Sequence, residues 1–381
     1  MRKMAGVWIA ALGIVGILLG CGNQGANGPI RIAVAGPFTG NAAAFGEMIK
    51  KGAELKRDTI NAAGGIHGRS IELVFGDDVG DPKEASTVAT KFASDRSIVA
   101  VIGHFNSSCS LAGKPIYKRE GVVELSPGST NVNVCIGSEW TFRNIYRDDF
   151  QGQFLARYVK QKLQLNRVAV FYDNDDYGIG LKNAFIEEAQ KQGIEIVTTA
   201  AYTRESVDFK PELSNIKAFN PDALFISGLY NEAALITLQA RQQGMTMQIL
   251  GADGVFSPGY VQVAGKAAEG TLITTPFLFD AGGKDAQEVL KKFKEKYKED
   301  PDCWAALTYD AVGIIADAIA KAGPDRKAIR DHLASLNSPD RAYPGITGRT
   351  YFDANGDCVK PAYVSAVKDG RFVSAPVQML E

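Results

Sequence analysis

Histidine is scarce: the 381 residues hold three, His67, His104 and His332, far apart and with no C-x-x-C pair to complete a ligand set. Metal-ligand spacing is therefore missing, and neither a metal site nor a cofactor is expected. Neither sign of charge is in excess, with 42 Lys and Arg against 43 Asp and Glu. No long basic run and no aromatic-basic interleaving occurs, so the footprint of a nucleic-acid binder is absent. The G-x-S-x-G elbow of serine hydrolases is absent too. The apolar run Val7 to Leu19 is too short to span a bilayer comfortably.

That run has another use. Arg2 and Lys3 precede it, and it ends Leu18-Leu19-Gly20-Cys21, which resembles a bacterial lipobox at the close of a signal peptide. Cys21 is then the expected lipidation site, residues 1–20 the lipoprotein signal peptide, and the polar stretch 21–28 a flexible tether. Several acyl chains would anchor the protein stably on the outer face of a bacterial membrane or in the periplasm, the only membrane contact expected. Removing Arg2 and Lys3 leaves 40 basic and 43 acidic residues, a slightly acidic mature chain. Cys109, Cys135, Cys303 and Cys358 remain, an even number in an oxidising compartment, which favours disulfides. Three pairings are possible; locality favours 109 with 135 and 303 with 358.

From Ile30 onward, nearly continuous apolar runs alternate with amphipathic segments. Strands are predicted at 30–35, 71–75, 98–102 and 121–125, then again at 167–172, 194–200, 222–227, 247–252 and 271–276. Helix signals separate them: Asp81-Pro82 opens one with an N-cap and an N1 proline, and Gly64-Gly65 closes another. Such alternation predicts an α/β chain of two doubly wound, Rossmann-like lobes. Only four strands are predicted before residue 150, so the chain is expected to return to the first sheet. Lobe 1 is read as 29–148 plus 277–356 and lobe 2 as 149–276 plus 357–381, joined by a multi-strand hinge. Helices at 284–298, 304–322 and 325–335 and strand-like runs at 349–353 and 361–368 complete the chain, the last two flanking a DANGD turn.

Seven stretches carry a resemblance: PFTG (37–40), AGGIHGRSIELVFGDD (63–78), DPKEA (81–85), VIGHFNSS (101–108), SPGST (126–130), DYGIGL (176–181) and GADGVFSPG (251–259). In this order they resemble the type I periplasmic binding proteins of ABC importers, on the leucine/isoleucine/valine-binding branch. The resemblance implies an amino acid whose carboxylate is held by Ser107 and the run Gly128, Ser129, Thr130. It implies Asp253, Tyr177 and Tyr230 around the ammonium, and Phe45, Asn106, Tyr177 and Tyr309 around the side chain. Neutral hydroxyls and backbone N–H groups at a helix start suit a carboxylate on elementary grounds, and Ser107 and Ser108 are expected to cap a helix beginning near Cys109. The chain departs from the family where Phe45 replaces tyrosine, Asn106 replaces cysteine and Asp253 replaces the glutamate that relatives can carry. Asn106 and Gly80 remove the family's lobe 1 disulfide, for which Cys109–Cys135 would substitute.

The implied partners are ABC permease subunits, with the binding protein a monomer. A sensor working through a separate signalling partner is the alternative. A hydrolase built on Ser107 and His104 is disfavoured, because a histidine three residues before the serine on the same loop is poorly placed to act as a base with its own orienting acid; His104 is read instead as a satisfied structural imidazole. The turn 353–357 is read as a hairpin rather than a calcium loop, and the charged run 291–300 as a solvated helix face.

Overall fold

The computed structural model describes residues 28–379. The expected signal peptide, Cys21 and most of the expected tether lie outside them. The first half builds a parallel sheet from β1 (Ile30–Gly36), β2 (Ile71–Asp77), β3 (Ile98–Ile102), β4 (Val123–Ser126) and β5 (Thr141–Arg143), in the order β2-β1-β3-β4-β5. The apolar runs read as strands are its centre, and Ile32, Val34, Ala100, Ile102 and Leu125 are fully buried. Helices α1 (Ala43–Ala62), α2 (Pro82–Ser94) and α3 (Ser107–Glu120) connect the strands. Asp81 caps α2 as expected, accepting from the N–H groups of Lys83 and Glu84. Gly121 ends α3 in the left-handed conformation, so β4 begins at Val123 rather than at 121.

Helix α4 (Asp148–Gln161) then leads to a second sheet, of seven strands in all, whose first five along the chain are β6 (Arg167–Asp173), β7 (Glu195–Tyr202), β8 (Ala223–Ser227), β9 (Gln248–Gly251) and β10 (Leu272–Thr275), with α5 (Asp176–Lys191), α6 (Lys210–Ala218), α7 (Tyr230–Gln242) and α8 (Pro258–Ala264) between strands. After β10 come α9 (Lys284–Tyr297), α10 (Cys303–Ala322) and α11 (Arg326–Ser335), and the chain is back at the first sheet: α10 packs on α1 and β3, α11 on β3 and β4. Gly52 permits the α1–α10 contact, since a Cβ there would lie 2.3 Å from the Ala305 carbonyl oxygen.

The hairpin β11 (Tyr343–Gly345) and β12 (Gly348–Thr350) follows, and the chain crosses again to add β13 (Tyr363–Lys368) and β14 (Arg371–Ser374), antiparallel, at the edge beyond β10. The two runs expected to flank DANGD do not pair with each other. The 353–357 turn is closed by a Phe352–Cys358 bridge and by Asp353 Oδ1, which accepts from the N–H groups of Asn355 and Asp357. Asp357 forms a buried ion pair with Arg143 (2.6 Å) and another with Arg147 (3.2 Å), tying two of the crossings together.

No disulfide joins the four cysteines of the described residues; all are buried free thiols, which corrects both expected pairings. Their surroundings explain it. Cys135 Sγ points at the Gly356 carbonyl (3.6 Å) and Cys358 Sγ at the Ile145 carbonyl (3.4 Å), while Cys109 lies in α3 and Cys303 at the start of α10. Burial raises the thiol pKa of each, that of Cys358 to about 12, so none is a ready nucleophile.

Candidate ligand-binding site

Carboxyl ends of strands from both sheets face one another, the usual location of ligands in open α/β folds. On the first-sheet side, the loops after β3 and β4 are laced together by hydroxyls. Ser126 Oγ donates to the His104 carbonyl (2.6 Å) and accepts from the Ser129 N–H (2.8 Å). Ser129 Oγ donates to the Phe105 carbonyl (2.9 Å) and shares a 2.8 Å bond with Ser110 Oγ. Ser129 therefore holds the loops together and does not line the cavity, which corrects its expected place on the ligand. Gly128 does line it. A Cβ there would meet the Phe105 ring at 2.4 Å, so no larger residue lets the loops approach this closely.

Helix α3 begins at Ser107 with Asn106 as its N-cap residue, and the Asn106 side chain makes no cap bond. The expected capping by Ser107 and Ser108 is thus corrected: Ser107 lies inside the first turn, its Oγ accepting from the Asn131 N–H (3.2 Å). Its hydroxyl proton is left for another acceptor. Thr130 is buried outside the cavity walls, its hydroxyl on the side of the Asp148 carboxyl, which corrects its expected place on the ligand. His104 is sealed away: one ring nitrogen pairs with Asp78 Oδ2 (2.6 Å), the other with the Tyr117 hydroxyl (3.0 Å). With both nitrogens engaged, it is no base for Ser107.

Opposite stands Asp253, just beyond β9. Its Oδ1 accepts from the Tyr177 hydroxyl (2.6 Å), the Gly254 N–H (2.8 Å) and Gln151 Nε2 (3.1 Å). Its Oδ2 is buried and has no partner. Burial lifts this carboxyl to about 6 against the three bonds that favour its charged form. The same Gln151 amide reaches Asp148 Oδ1 (2.9 Å), whose carboxyl is pushed to about 8 by burial and by the neighbouring Asp253. One of the two acids is thus mostly neutral at pH 7, and Asp253 is the one that carries charge.

Between the two sides lies a small cavity of about 20 Å³, walled by Phe105, Asn106, Ser107 and Gly128, by Tyr177, Leu229, Asp253 and Gly254, and by Trp304 from α10. Its mouth is shut by bonds across the cleft. The Tyr230 hydroxyl donates to the Asn41 carbonyl (2.8 Å), Arg204 Nη1 to the Gly80 carbonyl (3.1 Å) and Trp304 Nε1 to the Phe256 carbonyl (3.0 Å). Tyr230 is accordingly a bond across the cleft rather than a cavity wall. Phe45 is fully buried behind the wall, its ring 4.5 Å from that of Phe105 and 5.7 Å from that of Trp304.

Tyr309 does not reach the cavity, which corrects the expectation. It lies five residues beyond Trp304, about 140° further round α10, and its ring stacks under Lys56 of α1 (4.5 Å). Trp304 takes the position assigned to it. Trp304, Phe105, Leu229 and Gln151 were not read from the sequence. The available signal for Trp304 was its place two residues after the N-cap Asp302, which accepts from its N–H (3.0 Å).

A family model described as periplasmic binding protein matches residues 29–371. The chain belongs to the periplasmic binding protein family. A Leu/Ile/Val-binding protein homolog of Brucella suis is 33% identical over 337 residues, covering 88% of this chain and 89% of that protein. A leucine-, isoleucine-, valine-, threonine- and alanine-binding protein of Pseudomonas aeruginosa is 31% identical, covering 86% and 87%. Among solved structures, a branched-chain amino acid transporter substrate binding protein of Streptococcus pneumoniae in complex with isoleucine superposes at TM-score 0.86 and 32% identity, covering 93% of this chain and 99% of that one. A leucine binding protein of Thermotoga maritima gives 0.85 at 34%, covering 92% and 98%. The two-lobed α/β architecture is thus the type I periplasmic binding protein fold, and its family consists of substrate-binding transport proteins.

Proposed function

We propose that this periplasmic binding protein captures an L-amino acid, branched-chain or otherwise aliphatic, between its lobes and delivers it to the permease of an ABC transporter. It would work as a monomer held to the membrane by lipid on Cys21. Lobe 1 comprises 29–148 plus 277–356 and lobe 2 comprises 149–276 plus 357–381, with the hinge in the three crossings.

The observation that carries this reading is the buried, unpaired Oδ2 of Asp253 facing uncharged donors across one closed cavity. An isolated buried carboxylate is costly unless a cation meets it. An α-ammonium answers that need, while the carboxylate of the same ligand takes Ser107 Oγ and the first N–H groups of α3, where the helix dipole favours an anion. Tyr177 holds Asp253 in place, and Phe105, Leu229 and Trp304 cover an apolar side chain. Because Asp253 stands on the opposite side from Ser107, the zwitterion is gripped fully only when the lobes meet, which links binding to closure.

Isothermal titration calorimetry of the soluble chain with the L-amino acids tests this. Saturable binding is expected for one or a few, and Asp253→Ala is expected to weaken it about 100-fold or more. Unchanged affinity in Asp253→Ala removes the ammonium assignment. For the anchor, Cys21→Ala is expected to move the protein from the membrane fraction to the soluble fraction.

A further inference from the structure

Asn106 occupies a helix N-cap position, where asparagine ordinarily accepts a hydrogen bond from the N–H of the second or third helical residue. Here it makes no such bond. It is 5% exposed, and its Oδ1 is buried without a partner. Gly80 makes room for it, since a Cβ on Gly80 would lie 3.1 Å from Oδ1. Asn106 lines the same cavity as Asp253 and Ser107. Around it the walls Phe105 and Leu229 are hydrocarbon, and Trp304 has already given its only donor to the Phe256 carbonyl. With Ser107 and Asp253 assigned to the ligand's head group, the Asn106 carboxamide is the polar side chain left for the ligand's own side chain.

A carboxamide both donates and accepts, and so does a hydroxyl, so a hydroxyl satisfies it whichever way the amide is turned. A methyl in its place leaves a buried acceptor unpaired. The aromatic and leucine walls, conversely, favour a methyl. We propose that the cavity selects an amino acid with a hydroxyl and a methyl on its β-carbon, the threonine pattern, and that Asn106 reads the hydroxyl. This rests on the amino-acid reading of the site and narrows it.

Threonine and valine have nearly the same shape, so calorimetry with the pair isolates the hydroxyl. The wild-type protein is expected to bind threonine at least about 10-fold more tightly than valine, and Asn106→Ala and Asn106→Leu are expected to shrink that ratio to near one or invert it. Valine binding the wild type as tightly as threonine overturns the inference with no variant required. A threonine preference that survives intact in both variants overturns the role of Asn106. If threonine fails to bind while another L-amino acid binds, this inference falls alone; if no L-amino acid binds, the amino-acid reading itself falls and takes this one with it.

Discussion

Replacing Asp253 by asparagine separates two things the carboxylate does. The Asp253→Asn amide can still accept from Tyr177, Gln151 and Gly254, but it carries no charge for an ammonium. In the closed, ligand-free cleft, burial has lifted the Asp253 carboxyl from 3.8 to about 6. At about 1.36 kcal/mol per pH unit, holding it charged there costs about 3 kcal/mol relative to a hydrated carboxylate. Opening the cleft rehydrates the group and relieves that cost, so above pH 6 an empty wild-type protein is driven toward the open form by roughly 100-fold. The sign follows from the raised pKa. The closed state is helped below pH 3.8, where the carboxyl is neutral in either form, and that help is lost as pH rises through about 6. The neighbouring Asp148, raised to about 8 by burial and by Asp253, stays protonated in the closed cleft across that window. Asp253→Asn should therefore bind amino acids poorly and yet, without ligand at pH 7.5, be more compact than wild type by small-angle scattering. Trp304, bonded across the cleft, should report the same difference by fluorescence. If ligand-free Asp253→Asn keeps the wild-type radius of gyration and the wild-type pH dependence between 4 and 7, the buried charge is not what opens the empty cleft.

Three other outcomes follow from the same geometry. Tyr177→Phe removes the 2.6 Å donor to Asp253 and should cost about 10- to 100-fold in calorimetric affinity, with the order of preferred ligands unchanged. Tyr230→Phe removes only the cross-cleft bond to Asn41; stopped-flow measurement should show dissociation about 2- to 10-fold faster at an unaltered association rate. A chain lacking residues 1–21 should release four thiols to Ellman's reagent after denaturation and almost none while folded; fewer than four would restore a disulfide.

The parts of the fold legible in the sequence were those written by one local cause. Central strands such as Ile98–Ile102 show themselves as unbroken apolar runs because helices cover both faces, and Asp81-Pro82 marks a helix start by its own hydrogen bonds. The edge strands β5 and β14 are three and four residues long and carry no such run, so they were not read. The site was legible at the level of loops and less so at the level of side chains. Helix α10 is apolar on nearly all sides, so periodicity could not say whether Trp304 or Tyr309 faces the cleft. Ser129 stands in the right loop, but the direction of its hydroxyl is set by the Phe105 carbonyl and Ser110, partners distant in the chain. Cysteine parity fails similarly: a bridge needs two Cβ atoms about 4 Å apart, and an even count says nothing about distance.

The charge balance of the cavity leads to a final test, of the ligand rather than the protein. Asp253 is the one fully committed charge among the cavity walls, and the opposite end offers only hydroxyls and backbone N–H groups. A ligand carboxylate alone would gain those neutral donors but leave Asp253 buried and unpaired; worse, it would bring a second negative charge into the same closed space. The α-keto acid of whichever amino acid binds best keeps the carboxylate and the side chain and lacks only the ammonium. It should bind at least about 100-fold more weakly than the amino acid at pH 7.5, the penalty expected for one partner of a buried charge pair. Lowering the pH toward 5 protonates Asp253 in the closed cleft, where its carboxyl lies at about 6, and so relieves the repulsion of a ligand carboxylate: the keto acid should gain on the amino acid. Equal binding of the two at pH 7.5, or a ratio that does not narrow on acidification, would mean that the ligand's positive end is held by some group other than Asp253.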